Sequence, residues 1–380
     1  MDMFAMRTKI YMGGHSLNQM KELPMKKAYL ICDPYMKQSG MVKQITGILS
    51  ERQVPYEIFA DVIPDPTIEV VAAAVSRMLL FAPDTVIALG GGSAIDTAKA
   101  VSYIHGYMQG QEKICLLAVP TTSGTGSEVT SFSVISDPQA GAKYPLVSDH
   151  MLPDAAFLDP NFTVSVPPHI TADTGIDVLT HALEAYVSTK AQDFTDACAE
   201  KAIRLVWKYL ETTVKNGNDR DARMHMHNAS CLAGIAFNEA SLGICHSLAH
   251  ALGGRFHIPH GRSNAMLLPH VISYNAGLDT GSDTDALHRY AEIAAILGIW
   301  GSSERSSVYL LIQKLKNLTR RIGIPHYITD LGVEYEAYAA AVPEMAKLAM
   351  NDRCTKTNPV MPDAAALAAI YMQLAKGGRR

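Results

Sequence analysis

The sequence lacks the features that mark membrane, secreted and nucleic-acid-binding proteins. No apolar run approaches the about 20 residues that a membrane-spanning helix needs. The first residues, MDMFAMRTKIYMGG, hold no apolar region after a basic one, so we expect no secretory signal. The formal net charge is −4, and no basic stripe of the kind that binds nucleic acid is present. We therefore expect a cytoplasmic protein whose partner is a small molecule.

Cysteine is scarce, and its spacing matches no structural or redox motif. The six cysteines are Cys32, Cys115, Cys198, Cys231, Cys245 and Cys354. No two of them form a CxxC pair. In a chain of this length, scattered cysteines predict buried, reduced thiols in a cytosolic protein.

Hydrophobic periodicity divides the 380 residues into two parts, which is the domain number that the length favours. Up to about Pro168, apolar runs such as AYLIC, DTVIALGGGS and ICLLAVP alternate with segments of helical period, which predicts a parallel sheet with crossover helices. From Thr171 onward the segments are long, rich in alanine and leucine, and helical in period. We predict an α/β domain over residues 1–168 and an all-helical domain over residues 169–380, joined near VSVPPHI.

Two loops rich in small residues follow predicted strands. GGGSAIDTAK runs from a strand into a helix, where glycine lets a ligand approach the backbone and the helix offers free N–H groups. This predicts a phosphate site, with a tight strand-to-helix turn as the alternative. PTTSGTGSEVT suits hydrogen bonding to ribose or pyrophosphate, although such loops are common.

The acidic residue at a strand end, Asp33, precedes the glycines, whereas in the Rossmann fingerprint GxGxxG it follows them by about 20 residues. The standard fingerprint is therefore a poor match, although dinucleotide binding stays open. Asp33 can accept hydrogen bonds from two ribose hydroxyls and would repel a 2′-phosphate. The alternative is a turn residue before Pro34.

A metal site is indicated in the second domain. DVLTH places Asp177 and His181 on one helix face, and HSLAH does the same for His246 and His250. His260 follows in IPHG. One carboxylate with several imidazoles suits Fe²⁺ or Zn²⁺. The alternative, ordinary surface or capping pairs, becomes weaker when two such pairs occur among apolar residues.

These motifs together resemble the iron-containing (group III) alcohol dehydrogenase family. The resemblance is carried by TADTGIDVLTHALEAYVS, GICHSLAHALGGRFHIPHGRSNAMLLPHVISYN, GGGSAIDTAKA and PTTSGTGSEVT, and it runs from about Tyr11 to the C-terminus. It implies a Rossmann-like N-terminal domain and an all-α metal-binding domain, as in the dehydroquinate synthase-like architecture. It also implies an NAD(H)-dependent oxidoreductase acting on small alcohols and aldehydes as a homodimer or higher homo-oligomer.

The resemblance also implies roles for individual residues. Metal ligands are expected at Asp177, His181, His246 and His260, with Fe²⁺ as the metal and Zn²⁺ as a substitute. His250 is expected near the nicotinamide as a proton relay. NAD is expected to contact Asp33, Gly91, Gly92, Ser93, Asp96, Thr121, Thr122, Thr125, Thr130 and Lys143. His257 is expected as a pocket-wall residue and His270 as a structural one.

Within the family, the sequence most resembles short-chain alcohol dehydrogenases, such as 1-propanol and ethanol dehydrogenases, that reduce ethanal or propanal. Some of these work inside bacterial microcompartments. Two other hypotheses stay open: a dehydroquinate-synthase-type lyase, which also binds NAD and a metal, and a non-catalytic nucleotide- or metal-binding protein. The lyase needs several basic residues at its site, whereas only Arg255 and Arg262 lie near the ligand motifs.

Overall fold

The structure is a computed structural model, and it describes residues 4–110, 113–139 and 142–375. The chain forms two compact units, Met1–Val166 and Pro167–Arg380. The predicted domain boundary lies two residues after the division between these units. Pro168 is the first residue of the first helix of the second unit, a position that proline favours because its missing N–H has no helical partner there.

The first unit contains a parallel six-stranded sheet in the order β1-β8-β5-β4-β2-β3 and an antiparallel hairpin of β6 and β7. The strands are β1 (Lys9–Met12), β2 (Ala28–Cys32), β3 (Tyr56–Phe59), β4 (Thr85–Gly90), β5 (Cys115–Pro120), β6 (Phe132–Asp137), β7 (Ala142–Val147) and β8 (Ala155–Leu158). The helices are α1 (Pro34–Gln38), α2 (Val42–Glu51), α3 (Ile68–Phe81) and α4 (Gly92–Met108). The predicted parallel α/β fold is confirmed.

The predicted phosphate loop lies at the carboxyl edge of this sheet. The central strands β2, β4 and β5 are almost completely buried and pair in parallel, which aligns their carboxyl ends. Cys32 pairs with Leu89, so Asp33 lies beside the start of the glycine run. On the other side, the backbone N–H of Thr121 donates to the carbonyl of Gly90 at 3.0 Å. The ligand-binding edge that open α/β sheets commonly use is therefore lined by the predicted loops.

Over its described residues, 167–375, every secondary-structure element of the second unit is a helix. Its helices are α5 (Pro168–Val187), α6 (Asp193–Lys215), α7 (Arg220–Ala240), α8 (Ile244–Phe256), α9 (His260–Asn275), α10 (Asp285–Ile296), α11 (Glu304–Arg321), α12 (Tyr335–Asn351) and α13 (Ala364–Gln373). Helix α5 is buried from Thr171 to Val187 except at Thr174, and it packs against α6, α7 and α9. A helix that is buried on all sides is a core element, so polar residues on α5 need partners inside the unit.

Among the described residues, no helix is long and apolar enough to cross a membrane.

Candidate functional site

Three helices of the second unit bring the four predicted metal ligands together. Asp177 and His181 lie one turn apart on α5, so they share a face of that helix. His246 lies in the first turn of α8, and His260 is the first residue of α9.

The side-chain ligand atoms of Asp177, His181 and His246 all lie within 4.8 Å of one another. The Nε2 atom of His246 is 3.8 Å from Asp177 Oδ1, and the Nε2 atom of His260 is 3.6 Å from the same oxygen. Two donor atoms that each lie about 2.1 Å from one ion at the tetrahedral angle are about 3.4 Å apart. The separations in this cluster therefore fit a single ion of the size of Fe²⁺ or Zn²⁺.

The cluster is buried on one side and accessible at its rim, which is formed by His250 and His260. Asp177, His181 and His246 are all buried, whereas the His260 side chain is 40% exposed and the His250 side chain 47% exposed. The ring of His181 stacks between those of Phe237 and His246, with centroids 4.5 and 4.6 Å away. This packing holds the buried side of the cluster in place. A small molecule would therefore reach the cluster from the exposed side, where His250 and His260 lie.

The electrostatics of the cluster suit a bound cation. Burial alone would raise the pKa of Asp177, but the imidazoles of His181, His260 and His246 lower it. Burial and the neighbouring His181 and His260 hold the pKa of His246 well below its usual value. An ionised carboxylate and a neutral imidazole are the forms that bind metals.

The glycine that follows His260 allows α9 to approach α5 closely. A Cβ atom on Gly261 would lie 2.2 Å from the carbonyl oxygen of Asp173 and 3.2 Å from the Cβ of Asp177. Only a residue without a side chain fits there. The contact holds the start of α9, and with it His260, against the part of α5 that carries Asp177.

Two further polar residues contact the cluster on its buried side. The Glu184 carboxylate lies on α5, with Oε2 2.5 Å from His246 Nδ1, and burial raises the pKa of Glu184 to about 7. The Asn264 amide donates to Asp177 Oδ1 at 2.8 Å and lies 3.1 Å from His260 Nε2. The sequence reasoning missed both, although Glu184 had a signal, because it follows Asp177 by seven residues and His181 by three, on the same helix face.

His250 lies beside the cluster and has a carboxylate partner. Its ring stacks on that of His260 with centroids 5.2 Å apart, and its Nδ1 is 2.8 Å from Asp352 Oδ2. Burial alone would raise the pKa of Asp352, but the hydrogen bond and charge of His250 lower it well below its usual value. Asp352 was also missed, since it lies 102 residues further along the chain and no local pattern connects the two.

The other two histidines of the run lie at the end of α8 and within α9. His257 ends α8 in the left-handed conformation, with φ 54°, and its side chain is exposed. His270 lies on α9, ten residues after His260, and is half-buried.

In the first unit, the two predicted cofactor loops pack against each other. Gly91 caps the N-terminus of α4, and Gly92 and Ser93 are its first residues. A Cβ atom on Gly91 would lie 3.2 Å from Thr122 Oγ1, and one on Gly92 would lie 2.7 Å from Thr125 Cγ2. The threonines are thus held directly beside the helix N-terminus, whose free N–H groups are of the kind that binds anions.

Asp33 lies at the same edge of the sheet, and its carboxylate has two neighbours. Its Oδ1 accepts a hydrogen bond from the Met36 N–H at 3.0 Å and caps α1. A Cβ atom on Gly90 would lie 3.4 Å from its Oδ2. The alternative was a turn residue before Pro34, and the structure gives Asp33 a local role as a helix cap, while its second oxygen lies next to the glycine loop.

Asp96 and Thr130 belong to a hydrogen-bond network around the buried Lys99. The Lys99 ammonium donates to Ser127 Oγ and Thr130 Oγ1 at 2.9 Å, and Ser127 Oγ donates to Asp96 Oδ1 at 2.6 Å. Burial lowers the pKa of Lys99 to about 8. Thr130 is fully buried. These groups therefore find their partners within the protein, and they connect α4 to the second loop.

Other predicted cofactor contacts have different placements. Thr121 is buried, Thr122 is half-buried and Thr125 is exposed. The backbone of Lys143 belongs to β7 and pairs with Ser136, but its side chain lies outside the described part of the structure.

Comparison with known proteins identifies relatives over both units. Residues 7–160 match the family described as iron-containing alcohol dehydrogenase, and residues 171–375 match the Fe-containing alcohol dehydrogenase family, C-terminal. The chain is 44% identical to the 1-propanol dehydrogenase PduQ of Citrobacter freundii, over 98% of this chain and 100% of that protein.

Two further relatives extend the comparison. The NADPH-dependent butanol dehydrogenase of Clostridium saccharobutylicum is 39% identical over 94% of this chain and 93% of its own length. A solved structure of 1,3-propanediol oxidoreductase, 33% identical, superposes with a TM-score of 0.90 over 98% of this chain and 100% of the other.

Proposed function

This chain belongs to the iron-containing alcohol dehydrogenase family, and we propose that it interconverts small primary alcohols and aldehydes by hydride transfer with NAD(H). The substrates proposed are of the ethanol, propanol and propanediol range. The observation that carries the proposal is the cluster of Asp177, His181, His246 and His260 with His250 at its rim. A nicotinamide cofactor supplies the hydride chemistry, and the protein supplies binding, orientation and charge.

Asp177, His181, His246 and His260 would hold the metal, for which we propose Fe²⁺, with Zn²⁺ as a substitute. When bound, a divalent ion supplies Lewis-acid polarisation of an alcohol or carbonyl oxygen. Three neutral imidazoles and one carboxylate leave part of the ion's positive charge available for that purpose. Asp177 contributes the negative charge, and Asn264 keeps one of its oxygens in place through the 2.8 Å hydrogen bond.

His250 is the residue proposed to move the proton between substrate and solvent. With Nδ1 2.8 Å from Asp352 Oδ2, the neutral ring carries its proton on Nδ1. Nε2 then has the free lone pair and can take the proton that an alcohol loses on oxidation. The 47% exposure of the His250 side chain gives it a route to water, and Asp352 positions its ring.

The glycine loop is the proposed site of the NAD pyrophosphate, at Gly91, Gly92 and Ser93. Thr122 and Thr125 lie against these glycines and are proposed to contact the cofactor, together with Thr121 and Lys143. Asp96 and Thr130 are proposed to affect cofactor binding indirectly, by holding the second loop in place, since their polar groups have partners around Lys99.

Asp33 is proposed to set the preference for NAD over NADP by binding ribose hydroxyls and repelling a 2′-phosphate. Its Oδ2 lies beside the glycine loop, which supports this role. The butanol dehydrogenase relative is named as NADPH-dependent, so cofactor preference needs its own measurement.

The short-chain substrates are proposed from the relatives, whose names specify 1-propanol, butanol and 1,3-propanediol. A lyase acting on a phosphorylated carboxylate would need free cations near the cluster. The Arg262 guanidinium is instead engaged with both oxygens of Asp173, at 3.0 and 3.1 Å. This ion pair favours the dehydrogenase over the lyase.

The test is NADH oxidation by protein reconstituted anaerobically with Fe²⁺. The substrates are ethanal, propanal, butanal and lactaldehyde, and NADPH and Zn²⁺ serve as parallel conditions. We expect turnover that requires the metal, prefers NADH and ranks the four aldehydes. Absence of turnover in metal-replete protein under every condition would refute the proposal and favour the lyase or a binding protein.

We further propose that the protein is a homodimer located in the cytoplasm. Light scattering of the purified protein tests the oligomeric state, because it measures the mass of the assembly. A higher multiple of the 41.2 kDa chain would indicate further assembly.

A further inference from the structure

Glu184 is a buried carboxylate that the proposed reaction does not use. It lies on α5, only 2% of it is exposed, and both of its oxygens have partners on the segment that begins α8. Oε2 lies 2.5 Å from His246 Nδ1, and Oε1 accepts the Cys245 backbone N–H at 2.6 Å. A Cβ atom on Gly243 would lie 2.8 Å from Oε1, so the chain before α8 passes directly against the carboxylate.

The contact with His246 selects one tautomer of its ring. A neutral imidazole has a lone pair on one nitrogen only when the other nitrogen carries the proton. His246 Nδ1 faces a carboxylate, which accepts a hydrogen bond, so Nδ1 carries the proton. The lone pair is then on Nε2, which lies 3.8 Å from Asp177 Oδ1 on the side of the predicted ligands.

We propose that Glu184 is a positioning residue of the metal centre, which fixes the tautomer and orientation of His246. This inference rests on the proposed function, in which His246 is a metal ligand. Hydrogen bonding to the far nitrogen makes an imidazole a better ligand, and loss of such a partner commonly weakens metal binding 10- to 100-fold.

Glu184→Gln separates this role from simple packing, because glutamine has nearly the same shape. In one orientation its carbonyl oxygen still accepts from His246, but its NH₂ then faces the Cys245 N–H. In the other orientation, its NH₂ faces His246 Nδ1 and favours a lone pair there instead of on Nε2. Either way the carboxylate is lost and one of its two hydrogen bonds is broken.

The measurement is the affinity for Co²⁺, whose visible absorption reports its ligand environment, in competition with a chelator on the full-length protein. Glu184→Gln should weaken Co²⁺ binding about 10- to 100-fold and shift the absorption bands. Glu184→Asp keeps a carboxylate on a shorter side chain and should recover part of the affinity. The matched control is Tyr186→Phe, which removes a hydrogen bond to Glu292 from the same helix without touching His246. It should leave the affinity and the spectrum unchanged.

The possible outcomes separate this inference from the proposed function. Wild-type affinity and spectrum in Glu184→Gln would overturn the positioning role while leaving the dehydrogenase proposal intact. An equal loss of affinity in Tyr186→Phe would also overturn it, since general loosening of α5 would then explain the effect. If the Gln variant does not fold, Glu184→Asp carries the same test, and unchanged affinity and bands there would count against the role. A wild-type protein that binds no Co²⁺ would instead contradict the proposed function.

Discussion

Substitution of Gly261 by alanine is expected to damage the metal centre without changing any ligand. The added Cβ atom would lie 2.2 Å from the Asp173 carbonyl oxygen and 2.7 Å from its carbonyl carbon. Both atoms belong to the backbone of the buried helix α5, so they cannot move aside as a flexible side chain would. The start of α9 must move instead, and His260 is the first residue of that helix.

The size of the effect follows from the contact distances. Nonbonded contact requires roughly 3.5 Å, so α9 must shift by about 1 Å at its N-terminus. Metal–ligand distances tolerate only about 0.2 Å, so a shift of this size removes His260 from the coordination sphere. Overpacking costs about 1–3 kcal/mol, which corresponds to a fall of about 2–12 °C in the midpoint of thermal unfolding for a unit of this size.

The assay compares metal content, metal affinity and thermal unfolding of Gly261→Ala with those of Gly254→Ala. Gly254 lies on α8, only seven residues earlier, and a Cβ atom there would have no heavy atom within 4 Å. Alanine in an exposed helix is favoured by up to about 1 kcal/mol over glycine, so the control should be as stable as the wild type or more stable. If Gly261→Ala keeps wild-type metal affinity and unfolding temperature, the close contact of α9 with α5 does not position His260, and the reasoning is wrong.

Three further outcomes are expected from substitutions at the proposed sites. His260→Ala should purify with little metal while His270→Ala, on the same helix, keeps it; a metal-replete, fully active His260→Ala would contradict the ligand assignment. His250→Ala should retain metal and lower kcat by about 10²–10⁴-fold, as for loss of a general acid–base group, and unchanged steady-state rates would exclude the relay. Asp33→Asn keeps a residue that can cap α1 but removes the charge, so the NADH-to-NADPH ratio of kcat/KM should fall about tenfold, or about 1.4 kcal/mol. An unchanged ratio would assign Asp33 to capping alone.

Three of the strands that the sequence predicts, β2, β4 and β5, leave a continuous apolar signal because they are buried. The segment YEIFADV also predicts a strand, and it forms the partly exposed edge strand β3. AYLIC and the runs that form β4 and β5 lie in the centre of the sheet, and their side chains are buried on both faces. The edge strand β1 has only four residues, of which the first and last are exposed and the middle two are half-buried. Strand β8 is equally short, and β7 contains Pro145, which reads against a strand. These segments form strands because neighbouring strands pair with them, and a local sequence pattern does not predict such pairing.

The same distinction holds within the metal centre. Asp177 and His181 are predictable because a helix of 3.6 residues per turn places residues four apart on one face. The position of His260 relative to Asp177 depends on the packing of α9 against α5 and therefore on Gly261, which no periodicity reveals. Asp352 reaches His250 from a distant part of the chain, and only the folded structure brings them together.

The close packing of Gly92 against Thr125 means that the two cofactor loops cannot vary independently. The threonine methyl occupies the space that a side chain at position 92 would need, 2.7 Å from the Cβ position. An alanine at 92 therefore requires Thr125 to turn its side chain away or to be replaced by a smaller residue, and the order in which such changes arise matters. Selection on one loop thus restricts the mutational paths open to the other, and the two loops evolve as a single epistatic unit.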